Sequence, residues 1–243
     1  MGDIMKNIKP SQHHPNRDIV NFLVYKYADY FLLKFRTYYK GTLVDLGCGE
    51  APYKDFFLQY VDKYIGVDWT NSLHNIKADV ISNLNEKIDL PDEIADVVIA
   101  LSVMEHLCEP QVFLNESFRI LKKGGVMILQ VPFQWWVHEE PYDYFRFTPY
   151  GLKYMLEKAG FKNIEIYPTG GFFTMWFLKL NYFLARNCRN RFTVKFKIYK
   201  ILDLILTPIY FSNQLIAPIL DKLDRRKELE TAGYWVLAKK EGN

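Results

Sequence analysis

Two short stretches hold most of the residues able to do chemistry. In VDLGCGEAPYKDFF, residues 44 to 57, an apolar run carries Asp45, then Gly47 and Gly49, and a helical stretch begins near Pro52. Glycines let a ligand approach the backbone closely, and a helix N-terminus offers free N–H groups. Asp68 closes the next apolar run, YIGVD, at the spacing of about twenty residues where a carboxylate accepts both hydroxyls of a ribose. The run Gly47, Gly49, Ala51, Pro52 lacks the third glycine of GxGxxG, and Asp45 would sit badly beside a pyrophosphate but well beside an ammonium group. The implied ligand carries a ribose and an amino group and needs no diphosphate.

The second stretch, HEEPYDYFRF at residues 138 to 147, packs a histidine, acids, an arginine and four aromatic rings into ten positions. Its His, Glu and Asp side chains are all metal-ligand types, but the paired spacing of HExxH is missing, so no metal is expected.

These residues need elements to position them. TLVDLG (42 to 47), YIGVD (64 to 68), ADVVIAL (95 to 101) and GVMILQV (125 to 131) have strand length and alternate with helical or turn-rich segments, the pattern of a parallel sheet covered on both faces. EPQVFLNESFRILKKGG (109 to 125) opens with Pro110 and closes with lysines and glycines, and TPYGLKYMLEKAGF (148 to 161) has Thr148, Pro149 and Gly160 as cap residues. NIEIY then starts a strand, and GYWVLAKK (233 to 240) is the last one. Residues 1 to 40 read as a polar arm and helical lid, 41 to 169 with 233 to 243 as the main domain, and 170 to 232 as a helical insertion too long for a loop.

The chain has 243 residues, 49% hydrophobic and 24% charged, enough for a full core. A net charge of +3 is too small to argue for nucleic acid. Cys48, Cys108 and Cys188 lie far apart without CxxC spacing, which speaks for a reducing compartment and a cytoplasmic setting. The N-terminus MGDIMKNIKP lacks a secretory core, and no run reaches the roughly 18 apolar residues of a membrane span.

With these motifs in order, the sequence resembles the class I S-adenosylmethionine-dependent methyltransferases, and is similar to the small-molecule and sugar methyltransferases among them. DLGCG, GVD, KAD (77 to 79), LPDEIADVVIALSVMEHLCEP (90 to 110) and RILKKGGVMILQVP (119 to 132) carry the resemblance, which covers residues 41 to 167 and the final strand. It implies a Rossmann-like, seven-stranded, mostly parallel sheet with the last strand antiparallel, and S-adenosylmethionine as cofactor. Gly47 and Gly49 would frame the methionine moiety, and Asp45 would hold its amino end. Asp68 would bind the ribose, Trp69 cover the adenine and Asp79 meet its exocyclic amine. Ser102 and Met104 would line the pocket from the other side.

Methyl transfer from a sulfonium is an in-line displacement that mainly needs alignment, and an alcohol acceptor also needs a base. His138 and Asp143 are the expected bases, since both accept protons and both fall on the ligand-binding rim of the sheet. Asp143 is also placed to pair with Arg146 and fix the loop. His106, Tyr142, Tyr144 and Arg146 are expected around the acceptor, with His106 also able to anchor its turn. The PYDYFRFT-like segment resembles methyltransferases of surface-polysaccharide pathways, so a small-molecule or glycan-type acceptor is expected, and no nucleic acid.

The insertion offers a second clue. From Lys179 to Lys200 there are seven basic residues and no acid, beside Phe172, Trp176, Phe183 and other apolar residues at helical spacing. Such an element suits a cap, a homodimer surface, or peripheral membrane contact through residues 170 to 205. Two rivals to a soluble-acceptor enzyme follow, a methyltransferase of a lipid or quinone precursor at a membrane and a non-catalytic cofactor-binding partner subunit. A nicotinamide-dependent enzyme comes third.

Overall fold

The computed structural model describes residues 9–70, 76–189, 194–196 and 198–242. Its centre is a seven-stranded sheet in the order β3-β2-β1-β4-β5-β7-β6. The strands are β1 (Thr42–Leu46), β2 (Lys63–Asp68), β3 (Val80–Ile81), β4 (Ala95–Leu101), β5 (Leu121–Pro132), β6 (Lys162–Pro168) and β7 (Gly233–Lys239). Pairings among β1 to β5 are parallel, and β7 runs antiparallel to both β5 and β6.

Alternation along each strand divides the core in two. Val44, Leu46, Val98, Ala100, Tyr234 and Val236 face one cluster, whereas Leu43, Val97, Ile99, Trp235 and Leu237 face the other. This period of two is what a sheet buried on both faces requires. The first cluster takes Phe113, Leu114, Leu152 and Leu156 from α3 (Pro110–Ile120) and α4 (Pro149–Ala159). The second takes Phe31, Leu32, Phe56 and Phe57 from α1 (Phe22–Lys34) and α2 (Lys54–Phe57).

The caps of α4 follow the sequence pattern, with Thr148 Oγ1 accepting the Gly151 N–H at 3.1 Å and Gly160 left-handed at φ +106°. The end of α3 differs, because Leu121 already begins β5 and the KKGG segment lies within the strand. Leu121 is the C-cap, its N–H reaching the Ser117 carbonyl, and a side chain from the last strand's end adds to it. Lys240 Nζ donates to the carbonyls of Phe118 (3.0 Å) and Leu121 (2.7 Å), placing a cation at the helix C-terminus.

The insertion contains a helical hairpin of α5 (Phe172–Cys188) and α6 (Tyr199–Leu220). Buried Asp221 caps the start of α5, accepting the N–H groups of Gly171 (2.8 Å), Phe173 (2.9 Å) and Thr174 (3.2 Å). Gln214 on α6 accepts the Leu23 N–H at 2.9 Å and donates to the Ile19 carbonyl at 2.7 Å. The hairpin is thereby stitched to the N-terminal arm. Arg191 and Lys197, two of the seven basic residues, lie outside the described residues.

Candidate functional site

The parallel strands β1, β2, β4 and β5 end on one edge, and the loops that follow them meet there. After β1 the chain turns left-handed at Gly47 (φ +77°), Gly49 (φ +53°) and Ala51 (φ +51°). A Cβ on Gly47 would lie 2.4 Å from Val103 Cγ2, so this glycine is demanded by packing as well as by φ. A Cβ on Gly49 would meet nothing within 4 Å. Gly49 therefore leaves a cradle open where a ligand can reach the backbone. Ala51 takes the backbone conformation a third glycine would favour.

Asp68 ties this loop to the end of β2. Its Oδ2 accepts the Gly49 N–H at 2.7 Å and its Oδ1 accepts the Trp69 N–H at 2.8 Å. Each oxygen keeps a further lone pair, the acceptor pattern that ribose hydroxyls need. Asp45 lies deeper and accepts the Tyr64 hydroxyl at 2.6 Å. Burial pushes its carboxyl up to about 7, the Tyr64 hydrogen bond opposes the shift, and the Asp68 charge adds to it. A buried acid held near neutrality is a fitting receptor for an ammonium group, which restores its charged form.

These residues open into a cavity of about 420 Å³. Asp45, Gly47, Gly49, Asp68, Trp69, Ser102, His106, His138 and Tyr142 all line it. Five other expected residues do not: Asp143 and Arg146, which pair with each other beside it, and Asp79, Met104 and Tyr144. Asp79 accepts the Gly66 N–H at 2.8 Å and faces Lys54 Nζ at 3.9 Å, and Asn83, Leu84 and Asn85 occupy the wall beyond β3. Met104 is fully buried in the core, and its neighbour Val103 lines the cavity. Ser102, left-handed at φ +55°, and the turn at Met104–His106 set the course of the chain after β4. Tyr144 faces a shallow neighbouring recess that shares Trp69, His106 and Tyr142.

Further lining comes from residues the motifs did not single out: His14, Pro15 and Asn16 of the arm, Tyr25 of α1, Tyr53, and Gln130 of β5. Gln130 Oε1 accepts the Ser102 hydroxyl at 2.5 Å. Only the QVP end of the fifth-strand motif hinted at Gln130, and nothing in the composition of the arm marked it as a wall.

Opposite the glycine loop, the HEEPYDYFRF segment folds around Asp143. Arg146 grips both oxygens of Asp143, with Nη1–Oδ1 at 2.5 Å and Nη2–Oδ2 at 2.7 Å, and the His138 N–H adds a bond of 2.9 Å to Oδ2. Burial alone would raise this carboxyl, but the Arg146 and His138 bonds and their charges outweigh it and hold it at about 2. Such a group is a poor base at neutral pH, so the expectation of Asp143 as a base gives way to a positioning role. Arg146 is likewise occupied, its Nη2 also reaching the Trp136 carbonyl at 2.9 Å.

The histidines remain available. His106 Nδ1 lies 2.9 Å from the Tyr142 carbonyl, an acceptor, so Nδ1 carries the hydrogen and Nε2 presents a lone pair. His138 Nδ1 lies 3.2 Å from the Trp136 carbonyl and 3.3 Å from Asp143 Oδ2, again both acceptors. The two rings meet edge to face at 4.9 Å. Beneath them Glu105 is fully buried, and burial pushes its carboxyl up to about 8.

The comparisons with known proteins agree with this geometry. A family model described as a methyltransferase domain matches residues 20–166, more than half of the chain. A probable S-adenosylmethionine-dependent methyltransferase of Mycolicibacterium smegmatis is 30% identical over 96 residues, 37% of this chain and 37% of that protein. A ubiquinone biosynthesis O-methyltransferase of Maricaulis maris is 31% identical over 113 residues, covering 42% of this chain and 44% of the relative. The matched stretch thus spans less than half of either relative's length. The crystal structure of an S-adenosylmethionine-dependent methyltransferase from Archaeoglobus fulgidus superposes with a TM-score of 0.55 at 18% identity, over 88% of this chain and 94% of that one. That likeness shows the fold.

Proposed function

We propose that this chain, which belongs to the methyltransferase-domain family, transfers a methyl group from S-adenosylmethionine to a hydroxyl of a small-molecule or glycan-type acceptor. One observation carries the reading: a single cavity joins the Gly49–Asp68 cradle and buried Asp45 on one side to His106 and His138 on the other. The cofactor supplies an electrophilic methyl on a sulfonium. Asp68 would take the ribose hydroxyls, Asp45 the ammonium, and Trp69 the adenine, leaving the methyl to face the histidines. As the acceptor oxygen forms its bond to the methyl carbon, the carbon–sulfur bond breaks with its electron pair staying on sulfur. The hydroxyl proton leaves toward the His106 and His138 end, while Tyr142 and the arm exclude water.

Calorimetry on Asp68→Ala tests the cofactor half, and the expected result is loss of measurable S-adenosylmethionine binding. Wild-type affinity in that variant would overturn the assignment, and binding of NAD in its place would revive the nicotinamide reading. Labelled cofactor with fractionated extract tests the transfer half. Cofactor binding with no labelled acceptor, indifferent to His138→Ala, would mark a non-catalytic partner subunit.

A second reading concerns where the acceptor resides. Apart from Ser212, every exposed residue of α6 from Ile201 to Ile219 is apolar, including Leu204, Ile205, Ile209, Leu215 and Ile216. On α5, Phe172, Trp176 and Phe183 are exposed on the stripe that also carries Lys179 and Arg186. No helix among the described residues is long and apolar enough to cross a membrane. An apolar face flanked by cations favours a position on an anionic bilayer surface, and with it a lipid or quinone-type acceptor.

A further inference from the structure

We propose that Glu105, His106 and His138 form a binding site for one divalent first-row transition-metal ion at the acceptor end of the cavity. One carboxylate oxygen of Glu105 and one ring nitrogen from each histidine lie within 4.8 Å of one another. Ligands sharing a tetrahedral ion at roughly 2.0–2.2 Å stand about 3.3–3.6 Å apart, so at its widest the cluster needs to close by about an ångström or slightly more.

The second observation is independent of that spacing. Glu105 has no solvent exposure, and neither of its carboxylate oxygens accepts a hydrogen bond from another residue. A buried carboxyl group with both oxygens unpartnered is costly until something completes it, and an ion would do so by binding the ionised form. His106 does not complete it by a hydrogen bond: its Nδ1 faces the Tyr142 carbonyl, and its Nε2 stands 3.7 Å from Glu105 Oε1 and 3.8 Å from Glu139 Oε2, beyond hydrogen-bond distance of either. The Arg146 charge acts on Glu105 from nearby, but its Nη atoms are spent on Asp143 and the Trp136 and Phe145 carbonyls, and its buried Nε donates to no partner among the described residues.

Two imidazoles and one carboxylate suit Zn²⁺, Mn²⁺ or Co²⁺ better than Mg²⁺, which prefers an all-oxygen shell. Three protein ligands also leave an open position. On the proposed methyl transfer, and only for this last step, that position would receive the acceptor oxygen and polarise its hydroxyl, whose proton would leave past the ion at that same end of the cavity. The chain would use the histidines as ligands and not as free bases.

The ion site is tested on the chelator-treated 243-residue chain without cofactor, by calorimetry with Zn²⁺ and Mn²⁺ and by the visible absorption of added Co²⁺. The expected result is one ion per chain, with binding weakened at least tenfold in His138→Ala and in Glu105→Gln, and an altered Co²⁺ spectrum in His138→Ala. Circular dichroism confirms that both variants are folded, and His106→Gln serves if Glu105→Gln is not. No binding by wild type at millimolar ion, or equal binding in the folded variants, would overturn the site. Failure to find any methyl acceptor would leave these readings untouched, whereas transfer unaffected by chelator in a protein that binds the ion would remove only the role at the acceptor oxygen.

Discussion

The carboxylate of Asp143 holds His138 from two directions, accepting its backbone N–H at 2.9 Å and standing 3.3 Å from Nδ1 of its ring. Arg146 in turn locks that carboxylate through two parallel bonds. The acid therefore sets where the imidazole points and which nitrogen carries its hydrogen.

Asp143→Asn should leave cofactor affinity unchanged while lowering turnover, because His138 loses its anchor. Thermal unfolding should show a loss of about 2–4 kcal/mol, the order expected when one partner of a mostly buried ion pair is removed. Turnover that falls without any change in melting temperature would assign Asp143 a direct chemical part.

Cofactor affinity should depend on pH through Asp45. Its carboxyl is raised to about 7 in the free protein, so below that pH a proton must be released before the acid can pair with an ammonium group. Affinity should strengthen as pH rises, by up to about tenfold per unit, and level off above about 7. The raised value also means that Asp45 stabilises the free fold at pH below its unfolded value of 3.8, an advantage lost as pH climbs toward about 7. Calorimetry on Asp45→Asn should give a flat profile between pH 5.5 and 8, within about twofold; a profile as steep as wild type would assign the titration elsewhere.

The two loop glycines should respond differently to alanine. Gly47→Ala forces a Cβ to 2.4 Å from Val103 and should cost about 2–3 kcal/mol of stability through clash and left-handed strain. Gly49→Ala has open space and should cost about 1 kcal/mol while weakening S-adenosylmethionine binding by much more. Equal melting temperatures for the two variants would contradict the packing account.

Flotation with vesicles tests the apolar face of α6. Wild-type protein should rise with anionic vesicles and stay down with neutral ones, and Ile205→Asp with Ile216→Asp should abolish flotation without lowering the melting temperature. Oligomerisation that disappears in the same double variant, with no vesicle binding, would reassign the face to a homodimer.

Much of this protein is determined by sequence alone, since the signals are local. Strand alternation, the caps Thr148 and Gly160, and the Gly47–Gly49 turn each depend on residues within a few positions of one another. Asp68 also belongs there, because the parallel register that sets Leu46 against Val67 brings the end of β2 to the glycine loop. Other features were decided by tertiary structure. After left-handed Ser102 and the turn that follows it, Met104 enters the core and Val103 takes the wall, a placement set by successive backbone angles. Asp79 and Asn83 lie four positions apart, and only the course of the chain past β3 decides which of them faces the cavity. Glu105 and His138 are 33 positions apart and meet only because the loops after β4 and β5 leave neighbouring strands on the same edge. Side-chain direction in loops, and contact between distant loops, depend on the summed course of the backbone, to which no short pattern of residue types gives access.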